Sequence, residues 1–375
     1  MITICLLACL MAIVIGRQVQ IPKSIEFKPA RPSTKEVMTA VSYSKHGGSD
    51  VLSFDDQYPM PIPNDNQILV QVKASAINPV DFKYRRNLTP NIVTPKPKIP
   101  GYDIAGVVVK VGKNVVNFNI GDRVAAMMPI LGTRWGAAAY YAAVEESFAC
   151  KIGEFTDFSS AASLPLVSLT FLQAMSKVKD PTGKKILIHA GAGGCGTFAI
   201  QYAKYVLNMH VATTASKPKE DFVKALGADV VIDYRTQDFS QIIKDYDVVF
   251  DTMSFSYEEA TLNRSARVLK PSGHYLCVLS SDWKSGGGRE RSNGLLTLRN
   301  LVKHKIINAL RPGWIPHYDL VAVQPNGKQL LEVFNLLEEG RIRSVIDKTF
   351  PLSNAADAYD YVEQGHATGK VILQH

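Results

Sequence analysis

The stretch HAGAGGCGTFAIQ, residues 189–201, contains three glycines in the spacing Gly191-x-Gly193-x-x-Gly196. This spacing is typical of a turn that binds a dinucleotide, because glycine permits a tight turn and lets the diphosphate approach the backbone closely. The spacing alone is a weak signal, since three glycines also occur in ordinary apolar segments. The elements on either side of the turn decide between the two interpretations.

Those elements are a strand and a helix. The apolar segment 185–189 runs directly into Gly191, and residues 197–206 have the apolar spacing of a helix. The glycines therefore lie on a strand-to-helix turn, where the first amide N–H groups of the helix meet the negative charge of a pyrophosphate. In this context the sequence predicts a dinucleotide-binding turn.

The next predicted strand ends in the sequence ASKPK, residues 215–219. Sites that prefer NAD usually carry a carboxylate here for the ribose hydroxyls, and this stretch contains none. Ser216, Lys217 and Lys219 suit a 2′-phosphate instead, through charge-assisted hydrogen bonds, which favours NADPH. The alternative stays open that both lysines are ordinary solvated charges at the start of a helix.

The pattern along the chain predicts two domains, and 375 residues with 46% hydrophobic content can form both. From Met38 onward, short β-branched segments alternate with Gly, Pro and Asn, which predicts a partly open β-barrel or mixed sheet. Near Ser163 the pattern changes to strands that alternate with helical segments. This second pattern predicts βαβ units around a buried parallel sheet.

Composition argues against a nucleic-acid-binding protein and against a protein built on disulfides or structural zinc. The net charge is +8, but the 42 basic residues are spread along the chain, which does not favour nucleic-acid binding. The five cysteines form no C-x-x-C pair and no regular spacing. We therefore expect a reduced compartment and no structural zinc site.

Two segments fit neither domain. Residues 2–15 are apolar and a polar stretch follows to Glu36, which we interpret as a targeting segment or signal anchor for a mitochondrion, plastid or endoplasmic reticulum. A hydrophobic tail without a sorting role is the alternative.

Residues 282–313 combine a glycine-rich basic loop with an amphipathic helical pattern. That pattern suits a membrane surface, an ordinary helix over the active site, or a dimer interface.

Four stretches, including the glycine turn, carry a family resemblance: NPVDFKYR (78–85), IPGYDIAGVVVKVG (99–112), AASLPLVSLTFLQAM (161–175) and GAGGCGTFAIQYAK (191–204). With the order of the parts, they resemble the medium-chain dehydrogenase/reductase superfamily, and within it the zinc-independent quinone oxidoreductase branch. The resemblance implies an α/β fold, with a GroES-like β-rich catalytic domain and a Rossmann domain with a doubly wound parallel sheet. The implied division is a leader and linker at 1–36, the catalytic domain at 37–165 and 311–375, and the Rossmann domain at 166–310.

The resemblance also implies a catalytic set. Asn78 and Tyr102 stand where zinc-dependent members place cysteine and histidine, and because neither replaces those ligands, we expect no metal. Asn78 and Lys83 would line the nicotinamide and substrate cleft, with Lys83 donating to the developing oxyanion. Lys83 as a surface lysine, and Tyr102 as a buried structural tyrosine rather than a proton relay, remain the alternatives.

For the cofactor, the resemblance adds residues around the predicted turn and at the end of the chain. They are Thr170 near the nicotinamide, Gly194, Cys195 and Gly196 on the diphosphate, Tyr234 beside the 2′-phosphate, and His366 and Lys370 from GHATGK. A buried, inert Cys195 and a structural His366 are the alternatives at those two positions.

Together these features predict NADPH-dependent reduction of quinones or α,β-unsaturated carbonyl compounds. Such acceptors are already electron-poor, so hydride addition to them needs no Lewis acid. We also expect a homodimer. The competing hypotheses are a cofactor-binding scaffold or sensor without turnover, and an enoyl-thioester reductase.

Overall fold

The structure is a computed structural model that describes residues 30–87, 96–253, 264–278 and 316–375. The apolar segment 2–15 and the basic segment 282–313 lie outside these residues. The described residues divide into two compact units. The parallel-sheet unit lies within Thr170–Val323 and Arg341–Arg343, and the β-rich unit within Gln18–Leu169, Gln324–Gly340 and Ser344–His375. In the described ranges, no helix is both long enough and apolar enough to span a membrane.

Strands and helices are numbered separately along the chain. The strands are β1 (Arg31–Ser42), β2 (Ser53–Ile62), β3 (Gln67–Ile77), β4 (Asp103–Val111), β5 (Arg123–Met127), β6 (Tyr141–Glu145), β7 (Ala149–Lys151), β8 (Lys185–Ile188), β9 (His210–Ala215), β10 (Val230–Asp233), β11 (Tyr246–Asp251), β12 (Leu269–Val278), β13 (His317–Val321), β14 (Ile346–Pro351) and β15 (Lys370–Gln374). The helices are α1 (Pro79–Arg85), α2 (Phe158–Ala162), α3 (Pro165–Met175), α4 (Gly194–Gln201), α5 (Glu220–Ala225), α6 (Phe239–Ile242), α7 (Gly327–Glu338) and α8 (Ala355–Glu363).

The β-rich unit is built on a sheet in which the described strands follow the order β14-β15-β3-β4-β5-β7, with β6 also paired to β3. Strand β3 is at its centre, antiparallel to β4, β6 and β15. Its sequence QILVQVKASAI is buried along most of its length because both of its edges and much of both faces are covered. Strand β3 ends at Ile77, and Asn78 follows it as the N-cap of α1. Lys83 lies within α1.

The first strand begins earlier than the sequence pattern indicated. Strand β1 starts at Arg31, inside the segment 1–36 that was expected to be leader and linker. It pairs antiparallel with β2, with Arg31 opposite Ile62. The Trp135 indole also donates a 2.7 Å hydrogen bond to the carbonyl of Ala30. The first half of β1 is mostly exposed and polar, so its residues have no apolar alternation that would signal a strand.

The parallel-sheet unit has its described strands in the order β10-β9-β8-β11-β12-β13. All five neighbouring pairs are parallel. Strand β8 comes first in the chain, and its two neighbours β9 and β11 lie on opposite sides, so the direction of winding reverses between β8 and β11. In open parallel sheets, ligands bind outside the carboxyl ends of the strands at such a point.

The core of this sheet explains its short, uniformly apolar strands. The side chains of Ile186, Leu187 and Ile188 in β8 and of Val248 and Val249 in β11 have 0% exposure. Parallel strands covered on both faces need this continuous apolar pattern rather than alternation. The expected α/β fold, with a GroES-like unit and a Rossmann-like parallel-sheet unit, is confirmed.

Candidate active site

The glycine turn lies at the carboxyl end of β8. Helix α4 begins at Gly194 with Gly193 as its N-cap, and no described side chain caps it. The N–H of Gly191 donates to the carbonyl of Thr214 at 3.0 Å, and the N–H of Gly193 donates to the carbonyl of Ala190 at 2.9 Å. An uncapped helix start presents amide N–H groups and a partial positive charge, which suits a phosphate.

Two of the three motif glycines are required by close packing. A Cβ at Gly191 would collide with the Thr213 hydroxyl, and one at Gly196 would collide with the backbone of Ala190 and Gly191. A Cβ at Gly193 would meet only the Ala190 carbonyl, at 3.3 Å. Gly191 and Gly196 therefore let the strand, turn and helix approach each other, whereas a Cβ at Gly193 would make one tight contact with a carbonyl rather than a collision.

The residues predicted for the 2′-phosphate follow the neighbouring strand. Ser216 comes directly after β9 and is the N-cap of the short 3₁₀ helix Lys217–Lys219. Tyr234 comes directly after β10, and its side chain is 61% exposed. Because β8, β9 and β10 are parallel neighbours, the structure brings Ser216, Tyr234 and the glycine turn to the same edge of one sheet.

Lys217 is exposed and already has an acidic partner. Its ammonium lies 2.5 Å from the Glu220 carboxylate, which also accepts from Lys224 at 2.7 Å. The hydrogen bond and the charge of Glu220 raise the pKa of Lys217, so this side chain is a cation at neutral pH. Lys219 is half-buried beside it.

A buried polar group at the same sheet edge was missed by the sequence analysis. His189 follows β8, is 5% exposed, and has its Nδ1 3.3 Å from the Thr214 hydroxyl. That hydroxyl also accepts from the N–H of Ala190, whose φ is 55°. Burial lowers the pKa of His189, which favours the neutral ring. The signal available in the sequence was a polar residue directly between the buried strand and the glycines.

Asp251 occupies the corresponding position at the end of β11 and was also missed. Its carboxylate accepts from the hydroxyl of Tyr275 on β12 at 2.5 Å and from the N–H of Met253 at 2.8 Å. Asp251 is buried, with 2% exposure. His189 and Asp251 thus end the two strands between which the winding reverses.

In the β-rich unit, Asn78 is the N-cap of α1 and is 1% exposed. Its backbone N–H donates to Oδ2 of Asp81 at 2.9 Å. Pro79 follows at the first helical position, where a missing N–H carries no cost. Burial raises the pKa of Asp81 to about 7. Asp81 therefore has a structural role at the start of α1, where its carboxylate satisfies the backbone N–H of the N-cap residue.

The Asn78 carboxamide is bonded to a buried ion pair. Its Nδ2 donates to Oδ2 of Asp103 at 2.8 Å, and its Oδ1 accepts from the Lys370 ammonium at 2.5 Å. The Lys370 and Asp103 side chains are 5% and 0% exposed, 3.2 Å apart. The structure therefore brings Asn78 and Lys370 together, and it adds Asp103, which the sequence analysis did not name.

Lys83 and Tyr102 are both inside the β-rich unit. Lys83 lies on α1 with 6% exposure, which rules out the alternative of a surface lysine. Tyr102 is fully buried, and its hydroxyl has no hydrogen-bond partner in the described part of the chain. Burial raises the pKa of Tyr102 well above its ordinary value, so its hydroxyl is a very weak acid in this environment.

The remaining predicted residues differ in exposure. Thr170 is buried in α3, with 1% exposure, and Cys195 is half-buried in the first turn of α4. His366 is exposed in the turn before β15. In the portion of the chain that the structure describes, no three His, Cys, Asp or Glu side chains are grouped as a metal site would require.

Two family models match different parts of the chain. Residues 64–154 match the family model "Alcohol dehydrogenase GroES-like domain", and residues 226–373 match the model "Zinc-binding dehydrogenase". The chain is similar to NADPH-dependent alkenal/one oxidoreductase, chloroplastic, of Arabidopsis thaliana, with 34% identity over 92% of this chain and 81% of that protein.

Two further similarities cover almost the whole of the other protein. The chloroplast envelope quinone oxidoreductase homolog of Arabidopsis thaliana is 33% identical over 90% of this chain and 99% of its own length. The solved quinone oxidoreductase of Coxiella burnetii aligns with a TM-score of 0.76 at 31% identity, over 91% of this chain and all of that chain. The chain therefore belongs to the medium-chain dehydrogenase/reductase family, among the homologues of its quinone oxidoreductases.

Proposed function

We propose that this protein is an NADPH-dependent oxidoreductase that reduces quinones or α,β-unsaturated carbonyl compounds by hydride transfer without zinc. The observation that carries the proposal is the uncapped start of α4 behind Gly191 and Gly196, at the carboxyl edge of a parallel sheet. It is supported by the similarity to relatives named for NADPH-dependent alkenal/one and quinone reduction.

The residues of the parallel-sheet unit fit NADPH. Gly191 and Gly196 allow the strand, the turn and the helix to pack closely. The first amides of α4, which no described side chain caps, would then serve as donors for a diphosphate. Ser216, Lys217 and Lys219 follow β9, on the side where the adenosine ribose lies in this fold. Tyr234 would lie against the 2′-phosphate end, and Thr170 and Cys195 near the rest of the cofactor. His366, which the resemblance also assigned to the cofactor, belongs to the β-rich unit. NADPH, when bound, supplies the hydride.

The β-rich unit would supply the polar groups for the acceptor. The Lys83 ammonium would donate to the oxygen that becomes negative as the hydride arrives, and a buried donor stabilises such a charge more than an exposed one. Asn78 would line the acceptor site. Asn78 and Tyr102 offer a carboxamide and a phenol where a zinc site needs thiolate and imidazole, so the proposed reaction requires no metal. Tyr102 is the weaker candidate for proton relay because it is buried without a partner among the described residues.

The test is NADPH oxidation by the full chain with 9,10-phenanthrenequinone, an alkyl enone and an enoyl thioester. Turnover with the quinone or the enone supports the proposal. Higher kcat/KM with the thioester would replace it by the enoyl-thioester reductase. NADPH binding without turnover on any acceptor would favour the scaffold or sensor.

The proposal extends to assembly and location. Strand β13 is at the edge of the parallel sheet, bonded within the described residues only to β12, so a second copy can add its own strand there. A homodimer is therefore part of the proposal, and light scattering that finds only monomer would remove it. We also propose organelle targeting by the apolar segment 2–15 and membrane-surface contact by residues 282–313. Imaging of the tagged full chain and flotation with anionic liposomes test these two points.

A further inference from the structure

The Lys370 ammonium is fully used inside the β-rich unit. It lies 2.5 Å from Oδ1 of Asn78, 3.1 Å from the carbonyl of Ile77 and 3.2 Å from Oδ2 of Asp103. An ammonium carries three protons, and these three acceptors account for all of them. The sequence resemblance had placed Lys370 on the cofactor, but the geometry directs its charge to Asn78 and Asp103.

This arrangement determines the orientation of the Asn78 carboxamide. Its oxygen is against the ammonium and its nitrogen is against the carboxylate of Asp103. A flip of the amide would place N–H groups against the ammonium and the amide oxygen against the carboxylate, so both contacts would become repulsive. Because all three side chains are buried, solvent does not screen that penalty.

The contacts of the Lys370 ammonium also join four elements. Ile77 ends β3, Asn78 caps α1, Asp103 begins β4 and Lys370 begins β15. The second carboxylate oxygen of Asp103 accepts from the N–H of Leu166, at 2.8 Å, in the first turn of α3. The Asp103 carboxylate therefore connects the first turn of α3 to the start of α1.

We propose that Lys370 is a positioning residue for the hydride transfer: its ammonium neutralises Asp103 and holds the Asn78 carboxamide in one orientation. This inference rests on the function proposed above. It predicts that Lys370 affects kcat and leaves the affinity for NADPH unchanged. A residue that binds the cofactor phosphates would do the opposite.

The experiment compares Lys370→Met, Asp103→Asn and the double variant in the full chain. We expect Lys370→Met to lower kcat by about tenfold or more, because a misplaced group costs rate. We expect its Kd for NADPH to stay within about twofold of the wild-type value. The double variant recovers part of kcat, since a neutral carboxamide in place of the Asp103 carboxylate needs no counter-ion. Lys98→Met is the matched control, because Lys98 is equally buried and its ammonium donates to the Thr133 carbonyl instead.

A second readout does not need activity. We expect the side-chain N–H pair of Asn78, assigned by its loss in Asn78→Ala, to exchange slowly with solvent in the wild-type protein and fast in Lys370→Met. The inference is overturned by unchanged kcat in Lys370→Met, by a loss confined to NADPH affinity, or by an equal loss in Lys98→Met. If the wild-type protein turns over no acceptor, the proposed function fails, whereas amide exchange and NADPH titration still decide the role of Lys370.

Discussion

The carboxylate of Asp81 accepts the backbone N–H of Asn78 at 2.9 Å, while its second oxygen has no partner among the described residues. Burial raises the pKa of Asp81 to about 7, opposed by the charges of Lys370 and Lys98 and supported by that of Asp103. In the unfolded chain the pKa is near 4. The folded protein therefore binds a proton that the unfolded chain has released between about pH 4 and pH 7, and its stability falls as pH rises through that window.

The first prediction follows from that sign. Asp81→Asn keeps an acceptor for the Asn78 N–H and cannot ionise. It therefore removes the contribution of this side chain to the pH dependence of stability. We expect the Tm difference between pH 5 and pH 8 to shrink by at least about 3 °C relative to wild type. Asp65→Asn, at an exposed carboxylate in the same unit, should leave the difference unchanged. An equal Tm difference between pH 5 and pH 8 in the wild-type protein and in Asp81→Asn would contradict the prediction.

The second prediction concerns cofactor choice. Lys217→Ala removes a cation from the stretch proposed for the 2′-phosphate, and one charge-assisted hydrogen bond corresponds to roughly tenfold in affinity or more. We expect KM for NADPH to rise by about tenfold, with KM for NADH unchanged. Lys224→Ala is the matched control, because Lys224 also binds Glu220 but lies in α5, seven residues after Lys217. No effect on either cofactor would mean that Lys217 is an ordinary solvated charge.

The third prediction separates the motif glycines. Gly196→Ala forces a Cβ into the backbone of Ala190, whereas Gly193→Ala meets only one carbonyl at 3.3 Å. We expect Gly196→Ala to weaken NADPH binding by more than about tenfold and Gly193→Ala by less than about threefold, measured by fluorescence titration. Equal affinities for the two variants would show that close strand-to-helix packing does not form the binding turn.

The fourth prediction tests Lys83. Lys83→Met removes the buried donor and should lower kcat by about a hundredfold, the scale of losing one donor to a developing oxyanion. KM for NADPH should not change, and circular dichroism should report an intact fold. Lys83→Arg retains a positive donor and should recover part of kcat. Wild-type kinetics in Lys83→Met would remove this residue from the proposed mechanism.

The fifth prediction concerns metal removal. The Asn78 carboxamide is bonded to both Asp103 and Lys370, and an ammonium at 2.5 Å from its oxygen repels a second cation. We expect dialysis against EDTA to leave kcat unchanged and purified protein to contain zinc far below one equivalent by mass spectrometry. Loss of activity on chelation, restored by zinc, would contradict the zinc-free mechanism. This test matters because one matching family model carries the description of a zinc-binding dehydrogenase.

Much of the fold was readable from local patterns. Strands β8 and β11 are buried on both faces, so they appear as continuous apolar segments, and the glycines of the turn are set by steric exclusion next to Thr213 and Ala190. The sequence pattern indicates strands only from Met38, whereas β1 starts at Arg31. The first half of β1 is polar and exposed, and it is held by pairing with β2. Pairing with a distant segment leaves no mark on the local pattern.

The sequence by itself determined the two-part α/β architecture, the strand-to-helix glycine turn and the absence of a carboxylate after β9, because these depend on residue type and short spacing. Only the tertiary structure decided the surroundings of each charged side chain. It buried Lys83, placed Glu220 beside Lys217, and joined Asn78, Asp103 and Lys370 from three distant parts of the chain. The physical reason is that the role of an ionisable group depends on its burial and its partners, and packing between distant segments sets both.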